Sequence, residues 1–107
     1  MSTVKTLTAT GVATGKHAIL FGITASSLID PTSPSPPSGE VSIVINDAAT
    51  ADGTGDVIAR LILPATGGMG TVLTFPAGVR CGNGIAVNIT NSSPDAHPNL
   101  VVSIDYS

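Results

Sequence analysis

Few residues of this chain have the types and spacing to do chemistry. Asp47, Asp52 and Asp56 share one polar loop, Asp47 to Asp56. Three carboxylates this near in sequence suggest Ca²⁺, a hard cation that takes six to eight oxygen ligands. The loop lacks the alternate acids and closing Glu of the helical calcium loop. Its Asp-Gly and Asn-Asp steps are also ordinary turn chemistry. The expectation is therefore a plain hairpin connection and no metal site. His17 and His97 stand far apart, with no His-x-His or His-x-x-x-His spacing to hold zinc. A Ser-His-Asp relay has no Gly-x-Ser-x-Gly elbow to present its nucleophile.

Cys81 is the only cysteine, so no disulfide forms within the chain and the fold stands on its packing. Neighbouring Arg80 would depress the thiol pKa. A lone cysteine in a strand-like segment nevertheless reads first as small apolar packing. Arg80 itself is one of only four basic residues. It suits a bond to a carboxylate, either in its own chain or on a neighbour. Asn88-Ile89-Thr90 and Asn91-Ser92-Ser93 match the glycosylation pattern, but the start Met-Ser-Thr-Val-Lys lacks the features of a secretory signal. No catalytic residue and no cofactor site is expected, and the chain does not read as an enzyme.

The elements that carry these residues follow a period of two. Val4 to Thr10 alternates weakly, and Gly11 and Gly15 bracket an expected turn. Lys16 to Ser27 places Ile19, Phe21, Ile23 and Ala25 on one face, with Gly22 suggesting a bulge. Asp30 to Ser38 holds Pro31, Pro34, Pro36 and Pro37, four of the eight prolines. That stretch cannot pair into a sheet and reads as a stiff surface loop, or as a contact to a neighbouring subunit. Val41, Ile43 and Ile45 share a face, as do Val57, Ala59, Leu61 and Leu63. Thr71 to Phe75 is a short strand that Pro76 should stop. Phe75 to Val87 then looks like two chain reversals, at Ala77-Gly78 and at Gly82-Asn83-Gly84. Ile85, Val87 and Ile89 share a face, and Leu100, Val102, Ile104 and Tyr106 line the last strand. About seven or eight short strands with Gly, Pro and Asn between them predict an all-β, antiparallel β-sandwich of jelly-roll type, as one domain over residues 1–107.

Composition narrows function further. Only 10% of residues are charged, where roughly 25% is usual. Ser, Thr, Asn and Gly must therefore make up most of the surface, and charge repulsion does little to keep copies apart. That surface suits a protein that packs against neighbours. A net charge of −3 with four basic residues argues against nucleic acid. Phe21, Phe75 and Tyr106 are too few for base or sugar stacking. The longest apolar run, Ala18 to Ile23, is too short to span a bilayer, and the chain reads as made in a cytoplasm.

From Val41 onward the order of features resembles small virion proteins of tailed bacteriophages. The resemblance lies in Ile45-Asn46-Asp47, Val57-Ile58-Ala59-Arg60-Leu61, Gly67-Gly68, Phe75-Pro76-Ala77-Gly78-Val79-Arg80, Gly84 to Val87 and the late Tyr106. The proline-rich loop and the stretch Asn91 to Asn99 depart from that pattern. The resemblance implies a sandwich or jelly-roll protein on the capsid surface of a virion, made in the host cytoplasm. It implies a decoration or cement role, bridging the major capsid protein, with a homo-oligomer, a trimer above all, as the working form. Arg80, Pro34, Pro36 and Pro37 are then the expected contact residues. A head fibre, a tail or baseplate accessory, or a calcium-dependent binding module are the alternative expectations.

Overall fold

The computed structural model describes residues 3–28, 41–63, 70–91 and 99–107. The proline-rich stretch with Pro34, Pro36 and Pro37, the turn at Ala65 to Gly68, and His97 lie outside the described residues. The described residues form eight strands and no helix: β1 (Thr3–Leu7), β2 (Gly11–Thr14), β3 (Ala18–Leu28), β4 (Val41–Asp47), β5 (Asp56–Leu63), β6 (Gly70–Cys81), β7 (Ile85–Asn91) and β8 (Asn99–Tyr106).

These strands make two four-stranded antiparallel sheets, β1-β8-β3-β6 and β2-β7-β4-β5. The pairs β1·β8, β2·β7, β3·β6 and β4·β5 are nested like the two arms of one long hairpin. Rolling that hairpin brings β8 beside β3 and β7 beside β4. This is the eight-stranded jelly roll, a double-sheet solution to closing an antiparallel fold. β1 approaches β2 along one side of the sandwich and β5 approaches β6 along the other.

The core is the set of side chains that period two sends between the sheets. Leu20, Ile23, Val102 and Ile104 come from one sheet, and Val41, Ile43, Ile45, Leu63, Ile85 and Val87 from the other; all are fully buried. β-Branched residues dominate the inner face of β2-β7-β4-β5, which suits a pleated, half-buried surface. Tyr106 reaches across the core, and its hydroxyl donates to the Ala13 carbonyl at 3.3 Å. That carbonyl sits where β2 bulges between Val12 and Thr14, so the tyrosine satisfies a group the ladder leaves over.

Bulges correct several expectations. Gly11 and Gly15 do not bracket a turn, because Gly11–Thr14 is a short strand of its own. Gly22 does mark a bulge, and its effect is to reverse the face pattern of β3. Leu20 is buried before it and Ile23 and Ala25 after it, whereas Ile19 and Phe21 are only partly buried. Val57 is 46% exposed rather than inward, because the register shifts between Ile45↔Ala59 and Asn46↔Val57 and leaves Ile58 extra.

Pro76 does not stop its strand, and the first expected reversal does not occur. β6 runs on to Cys81, and Phe21 alone faces the four residues Phe75 to Gly78, between Leu20↔Val79 and Gly22↔Thr74. β6 is an edge strand, where a missing amide donor costs no ladder bond. Gly78 relieves the bulge: it has φ 79°, and a Cβ there would stand 2.5 Å from Ile19 Cγ2 and 3.1 Å from Phe21 Cε1. Gly82 has nothing within 4 Å of its would-be Cβ. Urea unfolding should separate the two: Gly78→Ala loses about 1–3 kcal/mol from strain and clash, while Gly82→Ala stays within about 1 kcal/mol of the parent. Equal losses would contradict this account of the bulge.

Candidate functional site

The polar groups that meet in the fold gather at one corner of the sandwich. Here β4 ends in Asn46 and Asp47, β6 ends in Cys81, and Gly82-Asn83-Gly84 carries the chain into β7 in the opposite sheet. The second expected reversal is thus present, and it joins the two layers. The Asp47 carboxylate holds it: Oδ2 accepts from the Gly82 amide at 3.2 Å and Oδ1 from the Asn83 amide at 2.8 Å. Charge-assisted bonds of this kind are about twice as strong as neutral ones.

Gly84 fits the corner only because it lacks a side chain. Its φ is 144°, and a Cβ would stand 2.6 Å from the Thr14 carbonyl oxygen and 2.7 Å from that of Ala48. Asn46, at 2% exposure, is the buried polar residue among those described, on the side of β4 away from Ile45 and beneath Gly55. Its Oδ1 accepts from Asn88 Nδ2 at 2.9 Å, and its Nδ2 donates to the Gly55 carbonyl at 3.4 Å. The amide pair links β4 to β7 and pins the end of the 48–55 loop.

The three loop aspartates do not converge. Asp47 is turned to the Gly82 and Asn83 amides, while the exposed Asp52 accepts from the Thr54 amide at 3.0 Å and from its hydroxyl at 2.5 Å. The Thr54 hydroxyl, followed by its amide, holds the Asp52 carboxyl below its usual range. That local contribution is present at neutral pH and is lost as pH falls through the lowered folded pKa. Asp56 sits opposite Asp47 in the β4–β5 register. Among the described residues no group of three His, Cys, Asp or Glu is placed to hold a metal.

Cys81 points inward from β6 and is fully buried, with its thiol 3.7 Å from the Val79 carbonyl. Burial, then the nearby Asp47 charge, pushes its pKa up, so the thiol stays protonated. The adjacent Arg80 does not reverse this: it is exposed on the other face of β6, opposite Ile19, with no carboxylate partner among the described residues. His17 is exposed just before β3. Asn88, in the glycosylation pattern, spends its side chain on Asn46.

Chemically, then, the corner is a clamp. Its acid is occupied by amides, and its thiol is buried and neutral. Sequence spacing does not reveal the clamp, because Asp47 and Gly82 lie 35 residues apart. The one available signal is an Asn, Asn46, within the apolar alternation of a core strand. No family model, curated protein or solved structure matches this chain.

Two outcomes check the assignment. Asp47→Ala should lower the unfolding free energy by roughly 1–2 kcal/mol, since the two exposed turn amides lose an ionised acceptor to water. Calcium at millimolar concentration should leave the melting temperature of the parent chain unchanged; a rise would restore the metal reading of Asp47, Asp52 and Asp56.

Proposed function

We propose that this chain is a structural protein of a tailed-bacteriophage virion, a capsid decoration or cement module that bridges major capsid protein subunits. The observation that carries the reading is the outer face of the sheet β1-β8-β3-β6. Register places Val4, Thr6, Thr24, Val72, Thr74, Val101 and Ser103 together on that face. Val4 is 63% and Val72 66% exposed, and the residues around them are short and mostly uncharged. Such side chains have little rotamer freedom to lose, unlike the Lys, Arg and Glu of most surfaces. Docking on this face therefore costs little entropy and desolvates few charges. Asp105 Oδ1, opposite Val4 and Gly22, is buried without a hydrogen-bond partner, so the face also carries one unmet acceptor.

The jelly roll supports the reading as a scaffold used in capsid proteins, though the same scaffold serves lectins and cupins. The segment Phe75 to Val87, where the likeness to virion proteins is densest, supports it independently. Area supports an oligomer. Four strands ~4.8 Å apart and ~20 Å long present roughly 400 Å², about half of what one partner of a stable interface buries. Two or three copies engaging a capsid at once reach the required strength through effective concentration.

Purified particles of the source phage should contain the protein at a near-stoichiometric copy number, and particles stripped of it should rebind the purified chain. Val72→Lys should unfold within about 0.5 kcal/mol of the parent, as exposed substitutions do, yet fail to rebind. Absence from the capsid, or location only in tails or fibres, would sink the decoration role.

A further inference from the structure

The corner that Asp47 clamps also holds the chain's one Asn-Gly step, Asn83-Gly84. We propose that Asn83 is a site of spontaneous deamidation whose rate is set by the Asp47 clamp. Asn-Gly is the step most open to this chemistry, because glycine has no side chain to shield its amide nitrogen. The Gly84 nitrogen attacks Asn83 Cγ, a new C–N bond forms, and the bond to the side-chain nitrogen breaks. That nitrogen leaves as ammonia, carrying the proton from Gly84. Water then opens the succinimide ring at either carbonyl, giving aspartate or isoaspartate at position 83. No oxidant or reductant is needed.

The geometry supplies both access and restraint. Asn83 is exposed, so water reaches it and ammonia can leave. Attack, however, requires the peptide between residues 83 and 84 to rotate. On one side the Gly82 and Asn83 amides are bound to the Asp47 carboxylate at 3.2 and 2.8 Å. On the other, Gly84 is buried and wedged against the Thr14 and Ala48 carbonyls. The step therefore proceeds from a locally opened corner, and its rate reports how often the clamp opens.

The product cannot close the corner as before. Either outcome adds a carboxylate next to that of Asp47, and like charges at short range repel. Isoaspartate also lengthens the main chain by one methylene, for which the Gly84 slot has no room. Deamidation thus acts as a one-way loosening of the joint between the two sheets, whatever the protein's partner.

Peptide mapping by mass spectrometry tests this on the full chain held at mildly alkaline pH, folded and in denaturing urea. The mass gain of one unit at Asn83 should be at least ~tenfold slower in the folded chain, the factor that ~1.4 kcal/mol of restraint supplies. In folded Asp47→Asn, which replaces the ionised acceptor, the gain should be several-fold faster than in the parent. Should that variant not fold, the parent in sub-denaturing urea decides: its Asn83 rate must rise in step with hydrogen exchange at the Asn83 amide. Equal rates in folded and denatured chains, a folded Asp47→Asn no faster than the parent, or no mass gain at Asn83 in either state would overturn the proposal.

Discussion

The two oxygens of Asp47 hold together the most demanding connection in this fold. Nested strand pairing requires β6, in one sheet, to hand the chain to β7 in the other. The sheets of a sandwich stand ~10 Å apart. The four steps from Cys81 to Ile85 reach at most about 14 Å at full extension. So little slack means that the connection must take nearly one course, with both turn amides facing the end of β4 and Gly84 threaded between two carbonyls. The registers of β3·β6 and β4·β7 are fixed relative to each other at this point, and with them the meeting of Leu20 and Ile23 with Ile43 and Ile45 in the core.

A second constraint comes from the shortage of charge. Open sheets expose edges, and proteins commonly blunt them with charged side chains. This chain has few to spare, and three of its four edge strands use backbone geometry instead. β2 bulges at Ala13, β5 at Ile58, and β6 across Phe75 to Gly78 with Pro76 inside the bulge. β1, regular along its length, carries Lys5 at its centre. The same substitution of geometry for charge appears in Thr10, whose hydroxyl accepts from the Ile89 amide at 2.9 Å and donates to its carbonyl at 3.3 Å, standing in for a further residue of β2.

These bulges also explain which parts of the fold were legible in the sequence. Where pairing is regular, alternation names the buried face without error: Val41, Ile43 and Ile45 in β4, and Leu100, Val102 and Ile104 in β8, all lie inward. Alternation cannot be carried across a bulge, since one inserted residue puts the side chains on its two sides out of phase. Alternation counted back from Ile23 therefore points Ile19 and Phe21 at the core, where Leu20 sits instead. Pro76 reads as a terminator only if its strand is central, and strand position within a sheet is a tertiary property. The corner was less legible still. In sequence Asp47 groups with Asp52 and Asp56, whereas its partners come from a segment brought close only by the rolled hairpin.

The occupied state of the corner bears on where function can reside. A carboxylate with both oxygens bound to amides and a thiol buried in its protonated form offer nothing to a substrate, so the polar cluster spends its chemistry on architecture. The sandwich still presents two outer faces, and they differ. That of β2-β7-β4-β5 carries Arg60 and the half-buried Asn88, with Ile62 57% exposed at its rim. Covering it would immobilise a long cation and strip water from it. The face of β1-β8-β3-β6 presents mostly valine, threonine and serine, and its hydroxyls can trade water for a partner's backbone groups at little cost. Among the described residues around Val4 and Val72 that face carries one carboxylate, Asp105, and its other side chains there are short and uncharged.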